Sequence, residues 1–259
     1  MKKIVIALIA VPIIFWGIWI AFPKTSIQSI IEDSLGSERL TLEVKGFRKG
    51  LFYSLSGDRL ALKRSGEEQI SLSEIRGRIN PLSLVVMRLN LSFDGNMGGG
   101  NISGILDVSR NKTRIEMNIK KARINEMPLF KVAGLQGTGI ISGRLKMADG
   151  TGHVEFITKD SRFDPAIFSG ITVPLDLFDT IRGSMDIKGN IIDVVSISLE
   201  GKDIYARLKG VIRGDAMDLH MEIMPGVSFI ENPLFHGGFE RYEISPGYYV
   251  IPVKGNLQF

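Results

Sequence analysis

The sequence predicts a mainly-β protein: one N-terminal transmembrane helix, then a large antiparallel β-sheet domain, curled or sandwich-like, with a few short helices. Three observations predict it. Residues 4–22 carry no charged side chain, with Lys2 and Lys3 before them and Lys24 after them. From Leu40 onward apolar residues recur at every second position, the period of half-buried strands rather than of helices. Gly-rich breaks such as Ala148-Asp149-Gly150-Thr151-Gly152, Arg213-Gly214-Asp215 and Asp94-Gly95-Asn96 cut that pattern at hairpin spacing.

Composition narrows the function classes. The 259 residues are 44% hydrophobic and 23% charged, enough for a sizeable core and too apolar for wholesale disorder. With no Cys, disulfide scaffolds, thiolate metal sites and cysteine nucleophiles are excluded. The formal charge is +4, and Lys2 and Lys3 supply two of those charges. What remains is too small and too scattered for a nucleic-acid footprint, so no nucleic-acid partner is expected.

The first element is the anchor, set at residues 4–23 behind a cytoplasmic tail of residues 1–3. Its membrane-anchor residues are Ile4, Val5, Ile6, Leu8, Ile9, Val11, Ile13, Ile14, Phe15, Trp16, Ile18, Trp19, Ile20 and Phe22. Nineteen residues make roughly 28 Å of helix, close to the ~30 Å hydrocarbon core. Trp16 and Trp19 suit the membrane interface, and a span tolerates the kink expected at Pro12. Around Ala21 the −3 position is the bulky Trp19, so the segment reads as a retained anchor rather than a cleaved signal peptide. Lys2 and Lys3 hold the N-terminus in the cytoplasm by the positive-inside rule. In a bacterium this places the protein in the inner membrane, with the lipid bilayer as its first partner and the bulk of the chain periplasmic.

Residues 24–36 read as a short amphipathic helix. Thr25 or Ser26 is its cap, Ile27, Ile30, Ile31 and Leu35 form its apolar stripe, and Gly36 is its stop. Glu32 and Asp33 on its polar side favour packing on the domain over lying on a membrane. Residues 37–259 then form the β domain, with about a dozen strands. Alternation marks Leu40, Leu42 and Val44; Leu89, Leu91 and Phe93; Ile115, Met117 and Ile119; Val195, Ile197 and Leu199; and Met217, Leu219, Met221 and Ile223. Proline marks two connecting helices, one at Asn80-Pro81 through Val86 and one between Asp164 and Ile181. Tyr249, Ile251 and Val253 form a last, edge strand. The segments 100–104 and 139–143 are weakly alike, which fits hairpins added side by side.

No chemistry is legible. His153, His220 and His236 read as solvated or loop residues, and no metal site, cofactor or catalytic residue is expected. Gly98-Gly99-Gly100 lacks the Lys-Ser or Lys-Thr of a phosphate loop. Asp107, Asp149, Asp186, Asp193 and Asp218 are scattered, and nothing selects a pair for hydrolysis. The basic residues from Arg110 to Arg123 alternate with apolar ones, as on a solvated strand face. The informative feature is the apolar face itself, for which the candidate lining is Ile115, Met117, Ile119, Val195, Ile197, Leu199, Met217, Leu219, Met221 and Ile223. Such a face is either covered by the fold or left as a groove for a partner or for phospholipid or lipopolysaccharide chains.

The order of motifs carries a resemblance. After the basic anchor come Val44-Lys45-Gly46-Phe47-Arg48-Lys49-Gly50-Leu51, a strand toward Asp58-Arg59-Leu60, and Asn80-Pro81-Leu82-Ser83-Leu84. Then follow Gly98 to Gly104, Gly137 to Leu145, Ile187-Lys188-Gly189-Asn190, and Ile197 to Asp203. Over nearly the whole chain this resembles the bacterial type II secretion system protein N family, the general secretion pathway N component. It is more distantly similar to the AsmA and TamB group. The resemblance implies an inner-membrane bitopic protein with an AsmA-like periplasmic β domain. It implies an accessory role in type II secretion through contacts with other secretion-system proteins. The AsmA side implies a lipid-binding or lipid-transfer module. No catalytic residue is carried over.

Overall fold

The structure is a computed structural model that describes residues 16–17, 19–21, 23–35, 40–132, 134–168, 171–227 and 239–256. Among them lie seventeen strands: β1 (Leu40–Lys45), β2 (Arg48–Lys49), β3 (Ser54–Arg64), β4 (Glu67–Ile79), β5 (Leu89–Met97), β6 (Gly100–Ser109), β7 (Lys112–Arg123), β8 (Gly137–Ala148), β9 (Thr151–Phe163), β10 (Ala166–Phe168), β11 (Ile171–Val173), β12 (Phe178–Lys188), β13 (Ile191–Gly201), β14 (Ile204–Arg213), β15 (Ala216–Pro225), β16 (Glu243–Ser245) and β17 (Tyr248–Asn256). The α-helices whose bounds are described are α1 (Lys24–Leu35), α2 (Pro81–Val85) and α3 (Pro128–Val132). The expected class, a large antiparallel sheet with few helices, is what forms. The order is β1-β3-β4-β5-β6-β7-β8-β9-β12-β13-β14-β15-β17-β16, with β2 beside β3 and β10–β11 a separate hairpin. The sheet is therefore an open meander with β1 and β16 at its ends, not a closed barrel.

Local chemistry explains most turns. Asp149-Gly150 and Ser65-Gly66 both hold paired positive φ values (51° and 78°, 52° and 88°), as a type I′ hairpin requires. Asn80 caps α2 by accepting the Leu82 N–H at 3.1 Å, and Pro81 opens the helix.

Several expectations are corrected. Asp94-Gly95-Asn96 is not a hairpin but lies inside β5, where a Cβ on Gly95 would sit 3.1 Å from the Ser73 carbonyl oxygen. That glycine serves close strand approach, and the turn falls instead at Gly98-Gly99. The helix expected between Asp164 and Ile181 is replaced by the β10–β11 hairpin and a 3-10 turn at Leu175–Leu177 after Pro174. Helix α1 begins at Lys24, behind Pro23, so Thr25 and Ser26 lie within its first turn rather than capping it. Strand β17 is not the last in the sheet, because β16 pairs with Tyr248 and Tyr249. Helix α3 was not anticipated. Gly36 and His236 lie outside the described residues.

Among the described residues no helix is long and apolar enough to cross a membrane. Of the anchor side chains, Trp16, Trp19 and Ile20 are described and helical. Ile4, Val5, Ile6, Leu8, Ile9, Val11, Ile13, Ile14, Phe15, Ile18 and Phe22 lie outside the described residues. Trp19 is 3% exposed and belongs to a protein core.

The chain forms two compact units, Met1–Asn96 with Ser103–Ile115, and Met97–Ile102 with Glu116–Phe259. In unit 1, Ile27 and Ile31 of α1 join Trp19, Leu42, Leu55 and Ile79 in one core. Ile27 and Ile31 of the stripe read from the sequence thus pack on the strands, as expected of an amphipathic helix. In unit 2, residues from the strands gather with Ile124, Val173, Leu175 and Phe239 from the connections.

Candidate functional site

The site is the apolar face of the unit 2 sheet, and pairing registers build it row by row. One row sets Gly143, Phe156, Gly183, Ile197, Leu208, Met221 and Ile251 side by side across β8, β9, β12, β13, β14, β15 and β17. The next sets Leu145, Val154, Met185, Val194, Gly210, Leu219 and Val253 together. An outer row holds Met147, Gly152, Ile187, Ile192, Ile212, Met217 and Gly255. An inner row holds Ile141, Thr158, Ile181, Leu199, Ala206, Ile223 and Tyr249. Because side chains alternate across a strand, the intervening residues share the opposite face. That reverse face carries Lys146, His153, Asp186, Asp193 and Asp218 in register. It is laced by Lys254–Asp218 at 3.2 Å and by an Arg144 Nε hydrogen bond donated to Asn118 at 3.0 Å.

Thr158, a buried polar side chain of the inner row, is satisfied. Its hydroxyl accepts the Ile181 N–H at 3.0 Å and bonds the Ser161 hydroxyl at 3.0 Å. Ser161 in turn donates to the Asp179 carbonyl at 2.7 Å. Phe156 fills the space left by glycine: a Cβ on Gly183 would come within 2.1 Å of its ring. An aromatic ring laid over a strand glycine covers the bare backbone and fixes register.

Burial is graded along the face. In the inner row Leu199, Ala206, Ile223 and Tyr249 are buried, because Val173, Leu175, Phe178, Phe163 and Phe239 close that end. In the outer row Met147, Ile187, Ile192, Ile212 and Met217 remain half-buried. The unit 2 face is thus plugged where the connections carrying Leu175 and Phe239 return, and half-buried at the end of the Gly150, Gly189 and Gly214 turns.

The sequence-predicted lining is only partly reunited. Leu199, Leu219, Met221 and Ile223 are buried in the unit 2 core, and Ile197 and Met217 pack against it. Val195 is displaced: it is the extra residue of a β-bulge between Val194 and Ile197, and it is 44% exposed. Val194, 2% exposed, takes the inward position instead. A bulge inserts one residue and so inverts the alternation on one side of it. Ile115 packs in the unit 1 core, apart from the others. Met117 and Ile119 are half-buried, on the alternate positions to Asn118. Sequence reading missed Leu145, Val154, Phe156, Met185, Ile187, Ile192 and Ile212. Their signal was an alternation in which glycine stands at some apolar positions.

Titratable groups do not converge on this face. Among the described residues no group of three His, Asp or Glu could hold a metal ion. His153 Nδ1 lies 2.6 Å from Asp186 and Nε2 lies 3.4 Å from Glu155, all on the polar face. The hydrogen bond to Asp186 leads in holding the imidazole pKa above its usual value. In unit 1, Arg88 grips both oxygens of Asp107, and Asn90 Nδ2 donates to it at 3.1 Å. The Arg88 bond leads in pushing the Asp107 carboxyl below its usual range. Asp107, read as one of the scattered carboxylates, is a structural pin for the chain between α2 and β5. Compared with known protein families, curated proteins and solved structures, the chain gives no match.

Proposed function

We propose that this protein is a non-enzymatic, inner-membrane-tethered accessory component of the type II secretion system. Its exported β body makes adaptor contacts with other parts of that machine. The observation that carries the reading is that the unit 2 strands have one mainly apolar face and one mainly polar face, a geometry for holding something apolar rather than for reacting with it. The order of motifs shared with the protein N family supports the particular machine. Deleting the protein and measuring secretion of folded substrates tests this, with complementation by Ile212→Asp. Secretion should fall in the deletion strain and be restored by the native chain but not by a folded Ile212→Asp variant. Unchanged secretion in the deletion strain overturns the proposal.

A second reading is favoured by the half-buried outer row. The open end of the unit 2 face takes acyl chains of phospholipid or lipopolysaccharide, as in an AsmA-like lipid module. Burial of apolar surface is worth ~25 cal/mol per Å², so an occupant of that row is strongly retained. The full chain, purified in a detergent too short to displace two-chain lipids, should release lipid on organic extraction. A lipid-free preparation with Ile187, Ile212 and Met217 protected from solvent removes this reading.

A further inference from the structure

We propose that one end of unit 1 is a membrane-docking tip, which sets Leu51, Phe52 and the α2 loop into the headgroup region of the bilayer. The inference rests on reading residues 4–22 as a membrane span. A span needs ~20 residues for the ~30 Å core, and the uncharged run supplies nineteen. Ending the span before Trp19 leaves fifteen residues and roughly 22 Å, too short for that core. Trp19 therefore sits at interface depth, and whatever touches Trp19 sits there too.

What touches it is the β2–β3 loop. The Trp19 indole N–H donates to the Gly50 carbonyl at 3.0 Å, and its ring lies 4.9 Å from that of Tyr53. Trp16 stacks on Phe52 with centroids 6.0 Å apart. Lys49 Nζ donates to the Trp19 carbonyl at 2.6 Å and the Ile20 carbonyl at 3.2 Å, over the Trp19 ring. A lysine on the last carbonyls of a helix, beside tryptophan, is the arrangement of an interfacial anchor. The loop holds Phe52 and Tyr53 at φ values of 51° and 61°, costly for aromatic residues. That backbone delivers one ring inward to Trp19 and leaves Phe52 69% exposed.

The second observation lies at the same end of the unit 1 sheet. The Ile79 N–H donates to the Tyr53 carbonyl at 2.9 Å, and α2 follows directly. Helix α2 buries none of its residues. Leu82 is 74% exposed, Met87 is 90% exposed, and Val85 and Val86 lie between them, also exposed. Arg88 and Asp107 hold this loop in place. Two adjacent loops that present large apolar side chains to water, where a greasy segment enters, fit a lipid surface.

The chain has no Cys, so single probes are clean. Met87→Cys, Phe52→Cys and, at the opposite end of the unit 1 sheet, Ser65→Cys are each made in the full chain. Each is labelled with an environment-sensitive fluorophore and reconstituted into phosphatidylethanolamine–phosphatidylglycerol vesicles. The Met87 and Phe52 probes should shift to the blue and lose roughly half their emission to a quencher about 5–10 Å below the lipid headgroups. The Ser65 probe should do neither. A chain that floats with the vesicles after alkaline washing while its Met87 and Phe52 probes behave like Ser65 overturns the tip alone. A chain that does not float overturns the membrane span, and the tip with it.

Discussion

The two units solve the same problem in opposite ways. In unit 2 the strands carry the apolar surface and the connections fold back to cover part of it: Val173, Leu175 and Phe239 come from outside the long strands and are all buried. In unit 1 the cover is a helix supplied by the N-terminal segment, and the connections point their apolar side chains outward at Leu51, Phe52 and Met87. The difference shows that one meander pattern does not decide where apolar surface ends up. The connections do. A loop that returns makes a core, and a loop that stays out makes a contact surface.

The largest effect that tests this contrast lies inside unit 2. Phe178, 2% exposed, belongs to the plug, so Phe178→Ala should cost about 3–5 kcal/mol in urea unfolding. Ile212 in the open row is half-buried, so Ile212→Ala should cost only about 1 kcal/mol. Equal costs at the two positions would mean that the face is uniformly packed and has no open end.

The Arg88–Asp107 pin gives the next effect, in unit 1. Asp107 is almost buried and accepts from Arg88 and Asn90, so Asp107→Ala should cost about 2 kcal/mol at neutral pH. The sign with pH follows from the depressed carboxyl. The stabilisation is fully present above the unfolded pKa, near 3.8, and is lost as pH falls through the lower folded value. The gap between native and variant chains should therefore close on acidification. A gap that persists unchanged well below that range would show that the carboxylate's charge is not what holds the loop.

How much of this was legible in the sequence depends on whether a residue's neighbours are local. Asn80-Pro81 was readable as a helix start because cap and helix are adjacent in the chain. The alternation of Met217 to Ile223 was readable because register preserves it. Val195 was misread because Val194 and Val195 are chemically identical, and only the partner strands choose which one turns inward. Gly95 and Gly183 were unreadable because glycine signals a turn and a close approach alike. The packing of Trp19 on Tyr53 and Leu55 was unreadable because an apolar run does not tell which apolar neighbours its side chains meet.

A smaller effect sits in unit 1. Gln69 is 7% exposed at the bulge where the β3–β4 register shifts, and its Nε2 has no hydrogen-bond partner among the described residues. A buried donor left unmade costs about 1–3 kcal/mol, so Gln69→Met should stabilise the chain by about 1 kcal/mol. Destabilisation would reveal a partner that the amide finds in solution.

The smallest effect belongs to the polar face of unit 2, where His153 faces Asp186 and Glu155 and lies in register with Lys146. The raised imidazole pKa means that the folded state favours the charged ring. That contribution is fully present below the unfolded value, near 6.5, and is lost as pH rises through the higher folded value. Both side chains are half exposed, so solvent screening keeps the effect on stability slight. The ring itself reports more cleanly. In Asp186→Asn the His153 titration, followed by NMR, should move down toward the ordinary value, whereas Glu155→Gln should move it less. If the two variants shift it equally, the cross-strand pair is no stronger than the neighbour on the same strand. The polar face is then a solvated surface, with no ordered ladder to set against the apolar rows behind it.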